Sequence, residues 1–346
     1  CSDSALCPYR NDADMGFSFS EPIITKRPSD GKWVVLVTSG YNNVSTGTGK
    51  GYLYVLDAAN GTVLNKITTN EGDTTTPSGL GKIADYVEDA DTDSTSTLVY
   101  GGDLLGNAFR FDLTANTVVK MAVLTDLSGA GQPITTRPET AKCGSQPLVF
   151  FGTGAYLGAS DVSTTQLQGV WGVKDSTTAL GTLRTTGTMV QQTLSTVGTG
   201  ATAYYKVTNN PVDFATKDGW FVDLDRNSGE RVNLDPVLVN KNLMVLTNKP
   251  TSDGSAACGT GGKGFFYQFS YCNGGYLSGT DYAAEQVGQQ VSDSIVVGFT
   301  PIGLPSGRVV VKITTADGVK LPPVTAMQPQ GGGGAVRRIS WHELND

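Results

Sequence analysis

The sequence predicts an all-β fold, a modified β-propeller of about seven blades closed by pairing of its N- and C-terminal strands. Three observations lead there. Short apolar or alternating runs are separated by clusters of Gly, Asn, Asp, Ser and Pro along most of the chain. Only 16% of residues are charged while 44 of the 346 are Gly, a composition that suits strands and tight turns better than helices. A phrase also recurs: an apolar strand ending in Gly, a short loop, then a strand of the type aromatic-x-aromatic-x-x-Asp. It reads LVTSGYNN…GYLYVLDAANG, LVYGGDLLGNAFRFDL, and more loosely LVFFGTGAYLG…QGVWGVKD and LMVLTNKP…GKGFFYQFS. The period of roughly 45–60 residues matches a four-stranded blade. A parallel β-helix would repeat at about half that length.

The strands are expected in this order. Trp33 to Thr38 is a continuous apolar run between Gly31 and Gly40. Tyr52 to Asp57 follows, and Asn60-Gly61 reads as a two-residue turn into Thr62 to Ile67, because both residues tolerate positive φ. Thr97 to Gly101, Ala108 to Leu113, Val118 to Leu124, Leu148 to Gly152, Gly169 to Val173 and Trp220 to Asp223 continue the series. Val237 to Thr247, Gly264 to Phe269, Ser294 to Phe299, Val309 to Thr314 and Arg337 to Trp341 complete it. Phe17 to Ile24 and Val336 to Trp341 are the natural pair for closing the ring, the latter on a Gly331–Gly334 tether. No amphipathic helix of three turns is visible. The reading is one domain over residues 1–346, with 176–203 as an extended excursion or a weak blade.

Five cysteines are present. Spacing favours Cys1–Cys7 and Cys258–Cys272 as short-loop bridges, leaving Cys143 over; the alternative is five reduced, buried thiols. The chain begins at Cys1 rather than Met and reads as a processed piece. Lys and Arg number 25 against 32 Asp and Glu, a formal charge of -7. Nucleic acid needs a basic face, so it is not an expected partner. Nor is an anionic membrane surface, and no stretch is apolar for long enough to span a bilayer.

Several segments together resemble the PilC/PilY family. They are GFSFSEPII (16–24), VTSGYNN (37–43), GYLYVLDAANG (51–61), YGGDLLGNAFRFDL (100–113) and FFGTGAYLG (150–158). MVQQTL (189–194), DGWFVDLDRNSGERV (218–232) and RRISWHEL (337–344) continue the series in order. The resemblance implies the C-terminal propeller of a modular, extracellular protein at the tip of a type IV pilus. It also implies adhesion or pilus biogenesis, and calcium control of extension against retraction. Implied partners are minor pilins and a host or abiotic surface, with no small-molecule substrate.

The residues offer one local site. Asp89, Asp91 and Asp93 stand at positions 1, 3 and 5 of a loop, followed by Thr95 and Thr97. Ca²⁺ is a hard cation that takes 6–8 oxygens at about 2.3–2.6 Å. Three carboxylates, the Thr95 carbonyl and Thr97 supply that chemistry. Thr97 stands where the family pattern has another Asp, and Tyr100 where an EF-hand has its bidentate Glu, so this is an inter-strand loop with weakened affinity. The alternative is a solvated acidic turn. A second cluster, Asp223 to Glu230, reads as a hairpin turn.

Hydrolytic chemistry finds little support. The one His is His342 near the end of the chain, and a triad needs a base beside its nucleophile. The Gly-rich stretches Phe151–Gly154 and Gly259–Lys263 open no expected helix, so neither is a phosphate cradle. The reading is a non-enzymatic binding module in which Tyr41, Tyr156 and Tyr276 could present contact patches. The alternatives are a quinoprotein-type dehydrogenase, whose propeller carries similar repeats, or a surface propeller unrelated to pili.

Overall fold

The computed structural model describes residues 12–88, 92–200, 203–251, 261–277, 283–306, 308–318, 321 and 323–326. These form β1 (Ile23–Lys26), β2 (Trp33–Thr38), β3 (Tyr52–Asp57), β4 (Val63–Thr68), β5 (Ile83–Val87), β6 (Ser96–Gly102), β7 (Asn107–Asp112) and β8 (Thr117–Val123). Then come β9 (Glu139–Cys143), β10 (Gln146–Gly152), β11 (Gly169–Lys174), β12 (Met189–Gln192), β13 (Leu194–Val197), β14 (Tyr204–Val207) and β15 (Gly219–Asp223). The last are β16 (Val237–Val239), β17 (Asn242–Pro250), β18 (Gly261–Ser270), β19 (Gln286–Ser294), β20 (Val296–Gly303), β21 (Val309–Thr315) and β22 (Val324–Thr325). One short 3₁₀ turn, Ala159–Ser163, is the helical element among the described residues.

Among the described residues the strands make five sheets, here called blades 1 to 5, against about seven expected for the whole chain. Their strand orders are β1-β2-β3-β4, β5-β6-β7-β8, β12-β15-β11-β10-β9, β13-β14-β19-β18-β17-β16 and β20-β21-β22. Each blade is mainly an antiparallel meander, and each buries its faces against the next blade. Leu36, Val55, Val99 and Phe111 fill the space between blades 1 and 2. Tyr100, Ala122, Phe151 and Trp171 fill that between blades 2 and 3. Phe150, Trp220, Val245 and Phe269 join blades 3 and 4, and Leu246, Phe266, Val296 and Val311 join blades 4 and 5. Successive residues of one strand therefore enter opposite cores. Leu148 and Phe150 face blade 4 while Val149 and Phe151 face blade 2, because side chains alternate along a strand. Burial on both faces is why such strands read as continuous apolar runs.

The recurring Asp acts on the turn. At the end of β3 the Asp57 carboxylate accepts from Ala59 N at 2.8 Å. At the end of β7 the Asp112 carboxylate accepts from Thr114 N and Ala115 N at 2.8 and 2.9 Å. The chain leaves each turn through a left-handed residue, Gly61 (φ 73°) or Asn116 (φ 54°). The Asn60-Gly61 turn differs from the two-residue form expected. Gly61 alone is left-handed, and Gly61 N bonds back to Asp57 O, so the loop is longer. Val237 to Thr247 is two strands rather than one, because Asn240 and Lys241 both take positive φ and reverse the chain.

Residues 189–197 cross between blades. β12 runs parallel to β15 at the edge of blade 3, and β13 runs antiparallel to β14 at the edge of blade 4. Gln192, beside the crossing point, is buried and donates to Asn210 O and Asn273 O at 2.7 and 2.8 Å. Just before it, the Arg184 guanidinium stacks over Trp171 and Phe221 and forms a two-toothed pair with Asp223, at 2.7 and 3.1 Å.

The disulfide differs from expectation. Cys143, at the end of β9, is bonded to Cys272, in the turn after β18, across 129 residues. Cys258–Cys272 is thereby excluded, as is a fully reduced set. The reason is the seam between blades 3 and 4. Tyr271 Oη donates to Lys142 O at 3.1 Å, and Trp220 Nε1 donates to Tyr271 O at 3.0 Å. These contacts bring the Cα atoms of the two cysteines to 5.3 Å, within bonding range. Cys1, Cys7, Cys258 and the closing strand Val336 to Trp341 lie outside the described residues.

Candidate functional site

The acidic loop connects β5 to β6 in blade 2. The two strands pair from Ile83↔Gly101 to Val87↔Ser96, with a register shift at Tyr86/Val87. Of the five residues named from sequence, Asp93, Thr95 and Thr97 are described; Asp89 and Asp91 lie outside the described residues. Asp93 is exposed, and its Oδ1 accepts from Thr95 N at 3.1 Å and Thr95 Oγ1 at 2.7 Å. Thr97 belongs to β6, where its carbonyl already accepts Leu113 N at 3.0 Å. Among the described residues no three His, Cys, Asp or Glu side chains gather in a metal-binding group. Asp93 is nevertheless a hard, exposed carboxylate at the mouth of the connection, a donor of the type Ca²⁺ takes.

Neighbouring blades grip this connection from both sides. From blade 1, Lys26 N donates to Ser94 O at 2.9 Å, and Lys26 and Thr95 form a parallel bridge. From blade 3, Lys142 Nζ meets Glu88 Oε1 at 2.8 Å, and Tyr86 Oη donates to the other oxygen of Glu88. The Glu88 contact raises Lys142 to about 12, and Lys142 in turn lowers Glu88. Lys142 precedes Cys143, so the grip reaches the disulfide. Beneath the loop lies a buried polar chain. Ser96 Oγ is 2.5 Å from Asp85 Oδ2 and 2.6 Å from Thr25 Oγ1, and Thr25 Oγ1 donates to Ser94 O at 2.6 Å. Burial raises the Asp85 pKa, while hydrogen bonding and the Arg137 charge pull against it.

Sequence reasoning passed over Asp85, Thr25 and Ser96. The available signal was a carboxylate inside the short apolar run IADYV, since an acid on a buried strand requires partners. The second acidic cluster is a turn but not the hairpin expected: it leads from β15 of blade 3 to Arg231, which bridges Asn248 of β17 in blade 4. Asp223 is committed to Arg184, and Glu230 is wholly enclosed, accepting from Thr247 Oγ1 and Asn227 Nδ2 at 2.5 and 2.8 Å. Tyr41 is buried at 8% exposure, so it offers no contact patch. Tyr156 and Tyr276 are half-buried, and His342 lies outside the described residues.

Five successive sheets, each packed face to face on the next and joined mostly by hairpins, define an all-β propeller rather than a sandwich. The comparisons make the class specific. The family model described as the PilY1 beta-propeller domain matches residues 3–124. A type IV pilus biogenesis factor PilY1 homolog from Xylella fastidiosa is 28% identical over 298 residues, 78% of this chain and 20% of that protein. PilY1 of Pseudomonas aeruginosa strain PAO1 is 28% identical over 330 residues, 81% of this chain and 28% of its own length. The crystal structure of the Pseudomonas aeruginosa PilY1 C-terminal domain superposes with a TM-score of 0.71 at 22% identity, over 90% of this chain and 73% of that one. The chain has the fold of the PilY1 C-terminal domain, and its first third matches the PilY1 beta-propeller model. It spans between a fifth and three-tenths of the length of these two curated relatives.

Proposed function

We propose that this chain is the propeller module of a type IV pilus biogenesis factor, acting at the cell surface or pilus tip. The supporting observation is the ordered likeness to PilY1 factors over about four-fifths of the chain, on the matching fold. In this reading its partners are minor pilins at the pilus tip, and it contacts a host or abiotic surface. Ca²⁺ binds the β5–β6 connection through Asp89, Asp91, Asp93, Thr95 and Thr97 and biases the pilus between extension and retraction. The position of the connection supports a regulatory role. It is held by blades 1 and 3 as well as its own strands, so an ion that orders it acts on two seams at once.

The test is genetic. Removing the codons for these 346 residues from the source bacterium should lower surface pilin in sheared fractions and shrink twitching zones. Restoring them should recover both. Unchanged piliation and motility would contradict the assignment. Substitution of Asp91 and Asp93 by Ala should alter the balance of extended pili without removing the protein from the surface.

A further inference from the structure

The chain beneath the β5–β6 connection has three close oxygen contacts: Asp85 Oδ2 with Ser96 Oγ, Ser96 Oγ with Thr25 Oγ1, and Thr25 Oγ1 with Ser94 O. Each needs one proton between its two oxygens. The Ser94 carbonyl has none to give, so the Thr25 hydroxyl proton must point at it. The Ser96 hydroxyl carries one proton and cannot serve both Thr25 and Asp85. With an ionised Asp85, one contact of 2.5 or 2.6 Å would set lone pair against lone pair. Asp85, Ser96 and Thr25 are 3%, 0% and 1% exposed, so bulk water does not relieve the clash. A neutral Asp85 supplies the third proton, and every contact is then a hydrogen bond in one direction.

We infer that Asp85 is a carboxylic acid in the folded protein at neutral pH, the first donor of a buried relay from Asp85 to Ser96 to Thr25 to the Ser94 carbonyl that fastens blade 1 to blade 2. Its surroundings agree. Desolvation is the largest influence on Asp85 and favours the neutral form. On β1 and β6 the facing groups are the hydroxyls of Thr25 and Ser96, which carry no charge. Against the neutral form stand the hydrogen bonds from Ser96 and from the Asp85 backbone N–H, and after them the Arg137 charge, from the segment before β9, at Coulombic rather than contact range. Ionisation at high pH removes the relay's first proton and leaves one link without a hydrogen. The blade 1–blade 2 seam is therefore proton-sensitive, and it weakens as pH rises. This holds whether or not the connection takes calcium.

The test is infrared spectroscopy of the whole chain at neutral pH, as wild type minus Asp85→Asn. Asn can donate from its amide to Ser96 Oγ as the acid does, so the variant should fold and match wild-type stability. The expected difference spectrum shows one positive carboxylic acid carbonyl band and no carboxylate bands. Subtraction isolates Asp85 from Asp103 and Glu230, the other buried acids that desolvation raises. Positive carboxylate bands instead would overturn the inference. Neutron diffraction on deuterium-exchanged wild type needs no variant. A deuteron on Asp85 Oδ2 is expected, and its absence, with the Ser96 deuteron directed at Asp85, would refute the relay.

Discussion

Reducing the Cys143–Cys272 bridge should loosen the seam between blades 3 and 4 and lower global stability substantially. The bridge closes a loop of 129 residues. In the chain-entropy treatment a loop of that length removes about 17 cal/mol/K from the unfolded chain, or about 5 kcal/mol at 25 °C. With a guanidinium m-value of about 5 kcal/mol/M for a chain of this size, the midpoint should fall by about 1 M. Trp220 is a natural reporter. Its indole donates to Tyr271 O at 3.0 Å, one residue from Cys272, and packs against Gly274. The assay is fluorescence-detected guanidinium unfolding of oxidised protein, reduced protein and Cys143→Ser. Reduced and substituted forms should coincide, both below the oxidised form, with a larger m because the unfolded chain is freed. Equal midpoints with and without reductant would refute the reasoning. So would a peptide map placing Cys272 with Cys258.

Two further predictions follow from the buried charges. Arg184→Ala should destabilise by about 3–5 kcal/mol, because it strands the Asp223 carboxylate at 7% side-chain exposure; thermal unfolding checks it, and a loss below 1 kcal/mol would contradict it. Glu230 is raised by burial from 4.5 to about 7, so folding favours its protonated form. Its contribution is fully present below about pH 4.5 and is lost as pH climbs to about 7, a decline of about 3 kcal/mol. Glu230→Gln should flatten that slope in urea midpoints measured across the range, whereas an unchanged slope would place the titration elsewhere. Asp103, raised by burial to about 6, adds a slope of the same sign that Glu230→Gln leaves in place.

The sequence showed the architecture where a strand is apolar on both faces. Trp33–Thr38 and Tyr52–Asp57 were read to the residue, because apolar side chains on both faces leave no other reading. β5, β9 and β19 escaped notice for the opposite reason. They carry Asp85, Glu139 and Gln286 among their buried residues, and a polar side chain breaks the pattern unless its partners are known. Asp85 is partnered by Ser96 on the next strand and through it by Thr25 of blade 1, and the relation between blades is not a local property of the chain. The disulfide failed in the same way. Spacing favours short loops, but Cys143 and Cys272 are brought together by the packing of Trp220 and Tyr271. At the candidate site, Asp93 and the threonines were visible as a motif. The grip of Lys26 and Lys142 on the connection, and the relay under it, depend on how three blades meet.

Calorimetric titration of Ca²⁺ into chelator-treated protein tests the functional account most directly. One site should appear, with a rise in melting temperature because the ion binds the folded state, and both signals should vanish in Asp93→Ala. No heat and no melting shift at millimolar Ca²⁺, or an undiminished response in that variant, would contradict calcium control through the β5–β6 connection.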